Sequence, residues 1–243
     1  MFVSPWLERL QQWDVAGFDL INGTLRNRFF DLLMPLITDK WNFALPLGLL
    51  LIYIFVFRPR RDRFMLIFAV AVILLSDGTG QFLKDLFQRS RPCQVLQRAV
   101  CYESFYFVQH QISDLVPKTT QLFKDSFQPG GVPSIPKTAA HPGPFSFPSN
   151  HASNTFALAA FISYNYRRLA IPSFLIASLV GYSRIYLTSH YPTDVLGGAA
   201  WGMLLGFTVA MAVRRLMRFS QADEPLRTDT TKESLVPHTK PSQ

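Results

Sequence analysis

The chain has 243 residues, 24 Lys and Arg against 16 Asp and Glu, a net charge of +8, and 22 phenylalanines within a 49% hydrophobic composition. That length suits one sizeable domain. The basic excess does not describe a nucleic-acid binder, because no basic face interleaved with aromatic stacking residues runs along the sequence.

The apolar residues are instead segregated. Residues 41–57, 64–76 with a polar continuation to 87, 152–166, 169–187 and 195–213 are nearly free of charge. A helix needs about 20 residues to span a bilayer, or about 17 at the short end. The expected fold class is therefore all-α: a polytopic membrane helix bundle with five or six spans.

In chain order, residues 1–40 form an amphipathic or membrane-embedded helical segment. It contains "FFDLLMPLI", interrupted by Asp31 and flanked by Arg26 and Arg28, and reads as a helix along the interface or a sixth, imperfect span. No secretory signal with a small-residue cleavage site stands near Met1. The membrane unit covers residues 41–218. Arg58, Arg60, Arg61 and Arg63 follow its first span, Arg167 and Arg168 its third, and Arg214, Arg215 and Arg218 its fifth. Short basic connections stay in the cytoplasm, so these three clusters share that side. The net charge is then topology plus contact with anionic lipid headgroups.

The other connections, 88–146 and the turn around 189–192, face outward. Cys93 and Cys101 both lie in the first of them and are expected to pair in an oxidising compartment. The aromatic "YESFYF" and proline-rich "GGVPSIPKTAAHPGP" in that connection form either a lid that selects headgroups or an insertion without selectivity. Residues 219–243 are polar and proline-bearing, and are expected to be a disordered cytoplasmic tail. No internal repeat is evident.

Three polar clusters gather on the outward side. In "KDLFQRSRP", Lys84 and Arg91 are seven residues apart, hence two helical turns apart on one face. Pro92 disfavours α geometry at Arg91, which ends the helix and lets the guanidinium turn back. In "FPSNHASN", Ser149 suits an N-cap, and a helix N-terminus carrying His151 also suits a bound phosphate. In "SRIYLTSHYPTD", Arg184 lies near the end of an apolar span, where a charge is costly and usually functional. Asp194 there is either a partner of the helix dipole or an acceptor for His190 that fixes its tautomer. Taken singly, each cluster has a bland explanation: a snorkelling Lys, a cap, a dipole partner. Together, three cations, a Ser hydroxyl and helix N–H groups describe a cradle for a tetrahedral anion.

These clusters resemble the three motifs of the type 2 phosphatidic acid phosphatase superfamily, which includes integral-membrane lipid phosphatases and is related to vanadium haloperoxidases. Lys-x6-Arg-Pro is matched by Lys84, Arg91 and Pro92. Pro-Ser-Gly-His is matched by Pro148, Ser149 and His151, with Asn150 where glycine is commoner. Ser-Arg-x5-His-x3-Asp is matched by Ser183, Arg184, His190 and Asp194. The resemblance covers about residues 41–213.

It implies a phosphatase site facing outward and needing no metal or other cofactor. His190 would attack phosphorus to form a phosphohistidine, with Asp194 orienting the ring. His151 would protonate the leaving oxygen and then activate water. Lys84, Arg91, Ser149 and Arg184 would hold the non-bridging oxygens, helped by backbone N–H groups at Asn150 and His151. Asn150 adds bulk where the family usually has none. His110, His141 and His238 match no motif.

The implied substrate is a lipid phosphate reached by lateral diffusion in a bacterial inner membrane, with undecaprenyl diphosphate first and lipid A phosphate, phosphatidylglycerol phosphate and phosphatidic acid as alternatives. Readings from other classes are a lipid phosphotransferase using the same phosphohistidine, a non-catalytic transporter, and a vanadate-dependent haloperoxidase.

Overall fold

The computed structural model of the chain describes residues 5–96, 99 and 145–222. All regular elements among them are helical. The N-terminal segment forms α1 (Pro5–Asp19), a π-helical turn (Leu20–Thr24) and α2 (Arg28–Thr38). Asn27 opens α2 in extended geometry, its side chain accepting the Phe30 N–H. The apolar face of α2 brings Phe30 against Tyr182 and Tyr186, at ring distances of 5.9 and 6.1 Å. Asp31, which interrupts that face, accepts the Tyr186 hydroxyl at 2.9 Å and pairs with Arg26.

A 3-10 turn (Lys40–Phe43) leads into α3 (Ala44–Phe57), followed by α4 (Arg60–Phe87) and the single turn α5 (Pro92–Val95). After the undescribed stretch come α6 (Asn150–Asn165), α7 (Ala170–Tyr186) and α8 (Pro192–Ala222). The five apolar stretches expected to be helical are α3, α4, α6, α7 and α8, with ends shifted by a few residues. Only three described helical stretches are long and apolar enough to cross a membrane: Arg60–Val95, Arg167–Tyr186 and Pro192–Met217. The protein is an integral membrane protein on those helices. At about 1.5 Å per residue, α4 reaches about 42 Å and α3 only about 21 Å.

α6 is the shortfall with a physical reason. At 16 residues it is short, and it is the hub of the bundle, packed by α4, α7 and α8. Its Ala152, Ala157, Ala159, Ala160 and Phe161 are buried. Gly198, Gly202 and Gly206 line the face of α8 that meets it. A Cβ on Gly202 would strike the Ser153 carbonyl, and one on Gly206 the Ala157 carbonyl. This is the close backbone approach that small residues at four-residue spacing permit between membrane helices. On the other side, Ser76 of α4 and Ser153 of α6 share a hydroxyl hydrogen bond of 2.7 Å.

α4 and α6 run antiparallel. The Tyr166 hydroxyl, just past α6, donates to Asp62 in the first turn of α4 at 2.7 Å. Asp62 also pairs with Arg58 at 2.7 Å, and Arg214 lies 5.6 Å over the Tyr164 ring. The basic connections therefore share one end of the bundle. The C-terminal ends of α4 and α7 and the starts of α6 and α8 occupy the other. The helix α8 continues through Ala222, so the expected tail is helical at its first residues. Residues 223–243, Cys101, and the aromatic and proline-rich parts of connection 88–146 lie outside the described residues.

Candidate active site

Each motif arrives at the same end of the bundle on a helix terminus. α4 stops where Gln88 takes a left-handed conformation (φ 47°) and its N–H caps the Lys84 carbonyl. Lys84 is buried on the last turn. The chain then extends through Arg91, whose N–H donates to the Gln94 side chain at 3.1 Å across the start of α5. Arg91 is buried, and its Nη1 donates to the Ser189 carbonyl at 3.2 Å, tying the first motif to the third.

The second motif is tied in twice. The Ser146 N–H donates to the Arg89 carbonyl at 2.6 Å, and the Ser149 N–H to the Asp194 carbonyl at 3.0 Å. Ser149 precedes α6 in extended geometry but makes no side-chain cap. Its Oγ is fully buried without a protein hydrogen-bond partner. Of the two roles open to it from sequence, capping is therefore not the one it performs. His151 sits in the first turn of α6, reachable from solvent, and the Arg184 charge, then desolvation, then the charges of His190, Lys84 and Arg91 hold its imidazole well below the ordinary histidine range.

The third motif closes the site. Arg184, buried on the last turn of α7, donates from Nη1 to Thr38 Oγ1 of α2 at 2.7 Å. Its carbonyl accepts the N–H groups of both Ser189 and His190, at 3.1 and 3.2 Å. Thr188, at φ 58°, makes the reversal that this tight turn needs. His190 is 2% exposed and Asp194 wholly buried. Burial, with the Arg184 and Arg91 charges adding to it, pushes the His190 imidazole down to about 3. The ring is therefore a neutral base at neutral pH.

Two residues differ from expectation in detail. Asn150 turns its side chain away from the cradle, donating to Asp77 Oδ1 of α4 at 3.2 Å, as Asn154 does. Room for it comes from Gly80, where a Cβ would stand 2.7 Å from Asn150 Oδ1. Asn150 thus commits one amide N–H to Asp77 and keeps its backbone N–H at the start of α6. Asp194 Oδ2 stands 3.8 Å from His190 Nδ1, an ion-pair separation longer than a hydrogen bond. Its near partners are Arg89 Nη1 on Oδ1 at 2.7 Å, and the Tyr191 N–H on Oδ2 at 2.8 Å together with the Ser146 hydroxyl.

The structure also recruits residues that the sequence did not single out. Arg89 reaches from Asp194 to Asp14 of α1, and its Nη1 donates to Thr193 Oγ1 at 2.8 Å. Asp14 is 1% exposed and accepts the Thr193 N–H at 2.8 Å, so α1 caps α8 from outside. Arg89 lies 4.4 Å over the Tyr191 ring. Ser146 is wholly buried against Asp194 and His190. Its place three residues before Ser149 was the only hint available. Cys93 is disulfide-bonded, and its expected partner Cys101 lies outside the described residues. Among the described residues no group of three or more His, Cys, Asp or Glu side chains is placed to hold a metal ion.

The chain is similar to known proteins over part of its length. Over 92 residues the chain is 38% identical to phosphatidylglycerophosphatase B of Bacillus subtilis, covering 33% of this chain and 45% of that protein. Over 67 residues it is 34% identical to the undecaprenyl-diphosphatase BcrC of the same organism, covering 28% of this chain and 35% of that protein. The matched stretches thus span less than half the length of either relative. A crystal structure of a transmembrane PAP2-type phosphatidylglycerolphosphate phosphatase from Bacillus subtilis superposes with a TM-score of 0.51 at 25% identity, covering 90% of each chain. The model of the PAP2 superfamily matches residues 64–218, from the second turn of α4 through most of α8 and across all three motifs, and the chain belongs to that superfamily.

Proposed function

We propose that this protein is a phosphoric ester hydrolase that removes phosphate from a lipid phosphate or diphosphate through a phosphohistidine on His190. The observation that carries this reading is the Ser149 hydroxyl, buried without a protein partner at the start of α6, beside a neutral, buried His190 and three buried cations. Lys84, Arg91 and Arg184 supply charge for the non-bridging oxygens, and the first N–H groups of α6 add to it. Fixed charge and positioning carry most of the catalysis in phosphoryl transfer. His190 attacks phosphorus as a free base. His151, exposed in the first turn of α6, protonates the leaving oxygen and then takes a proton from the water that releases phosphate.

The substrate reading is undecaprenyl diphosphate, supported by the likeness to BcrC and by a membrane-end site reached by lateral diffusion. Phosphatidylglycerol phosphate is the second reading, favoured by the structural likeness across 90% of both chains. The test is phosphate release by purified protein in detergent and chelator, from a panel holding both lipids, lipid A phosphate and phosphatidic acid. Release from the diphosphate at the highest kcat/KM, abolished by His190→Ala, is the expected result. A higher kcat/KM for phosphatidylglycerol phosphate moves the assignment to the second reading. Label passing to an added acceptor lipid rather than to water identifies a phosphotransferase instead.

A further inference from the structure

Asp194 holds its Oδ2 beyond hydrogen-bond length from His190 Nδ1, at an ion-pair separation. Its Oδ1 is taken by Arg89, and its Oδ2 by the Tyr191 N–H and the Ser146 hydroxyl. His190 Nδ1 stands 3.4 Å from Ser146 Oγ and 3.8 Å from Asp194 Oδ2. Ser146, His190 and Asp194 are all buried to within 2%, so water does not compete for these groups. The backbone of Ser146 is itself pinned, its N–H donating to the Arg89 carbonyl.

We propose that Ser146 is a positioning residue whose hydroxyl carries the interaction between Asp194 and His190 and fixes the tautomer of His190 that attacks phosphorus. A hydroxyl has one proton to donate and two lone pairs. Asp194, ionised beside Arg89, can only accept, so the Ser146 proton goes to its Oδ2. Ser146 Oγ then faces Nδ1 with lone pairs, which requires Nδ1 to carry a proton. The lone pair of the ring is left on Nε2.

The proposal rests on His190 being the nucleophile. In that step the Nε2 lone pair forms the N–P bond while the bond to the leaving oxygen breaks, and that oxygen takes the proton of His151. The ring becomes a phosphoimidazolium that keeps its Nδ1 proton, and the charge is held by Asp194 through the Ser146 hydroxyl. No proton moves along this link. When water attacks phosphorus, His151 takes its proton and the N–P electron pair returns to Nε2.

The test is rapid-quench labelling of the full chain in detergent, using an activated aryl phosphate with labelled phosphorus. Ser146→Ala should form phosphoenzyme about 10–100-fold more slowly, the loss expected for one hydrogen bond to a charged system. Asp194→Asn combined with Ser146→Ala should be no slower than Asp194→Asn alone, because both cut the same link. Ser146→Thr, which keeps the hydroxyl, should recover most of the rate. Wild-type rates in Ser146→Ala, multiplying losses in the double variant, or a folded Ser146→Thr as slow as Ser146→Ala would each overturn the proposal. Should Ser146→Ala not fold, the wild-type phosphohistidine decides: attachment at Nε2 is expected, and attachment at Nδ1 overturns it. A wild-type chain that never labels His190 overturns the phosphohistidine reading and this proposal with it. Normal labelling of His190 in Ser146→Ala overturns this proposal alone.

Discussion

His190 is a buried base, and that has a consequence for stability as well as catalysis. An unfolded histidine titrates near 6.5, whereas burial holds this one down to about 3. Between those values the unfolded chain binds a proton that the folded chain refuses. The contribution of neutral His190 is therefore fully present above about pH 6.5 and is lost as pH falls toward the folded value. The melting temperature in detergent should fall more steeply between pH 7 and pH 4.5 for the wild type than for His190→Asn; equal slopes would show that another group governs acid sensitivity. His151 differs in being exposed, and proton transfer is the role proposed for it. His151→Ala should slow hydrolysis of a lipid phosphate by about 10²–10⁴-fold, the usual worth of general acid help. An activated aryl phosphate, whose leaving group needs little protonation, should suffer far less. Equal losses on both would refute the division of roles. The residues proposed for these two roles were legible because they sit in dense motifs of rare spacing. Ser146, Arg89 and Asp14 were not, because an isolated Ser, Arg or Asp has no pattern. Asp14 meets its partners across 75 and 179 residues of chain.

The helices were legible as apolar runs, but what holds them together was not. Apolar content says that α6 and α8 are helices, and it says nothing about how close their backbones come. The ladder Gly198, Gly202, Gly206 decides that, and its period of four lies inside an apolar run with nothing polar to mark it. Gly202→Val should lower stability by about 1–3 kcal/mol, the range for overpacking, since its Cβ would strike the Ser153 carbonyl. Gly48→Ala in α3, where an added Cβ meets nothing within 4 Å, is the matched control and should melt like the wild type. A Gly202→Val protein that melts like the control would mean the helices can separate at no cost. The N-terminal segment shows the same limit. Its helicity followed from composition, yet Asp14 of α1 accepts from both Arg89 and Thr193, which makes α1 part of the wall behind the site. Asp14→Ala should cost about 2 kcal/mol, the loss of hydrogen bonds to a charged group, and should lower kcat more than it raises KM. A change confined to KM would mean that α1 meets substrate rather than bracing Asp194.

At the scale of the whole molecule, the bundle has a basic end and a proposed catalytic end. Arg58 and Asp62 meet Tyr166 at the first, and all three motifs meet at the second. The helices fix that the two ends are opposite; the direction they face is a matter of charge. Short connections rich in Arg are retained in the cytoplasm, which would turn the catalytic end outward, where a lipid arriving within the membrane meets it at helix termini. Arg61 and Gln88 are exposed and stand at opposite ends of α4, so each can carry a reporter without disturbing the packing. With Cys93 and Cys101 replaced by Ser, Arg61→Cys should resist an impermeant thiol reagent in intact cells and react after lysis. Gln88→Cys should react in intact cells. Labelling in the reverse pattern would place the phosphatase site in the cytoplasm. It would also remove the oxidising compartment that a disulfide at Cys93 requires. The orientation and the disulfide therefore stand or fall on the same experiment.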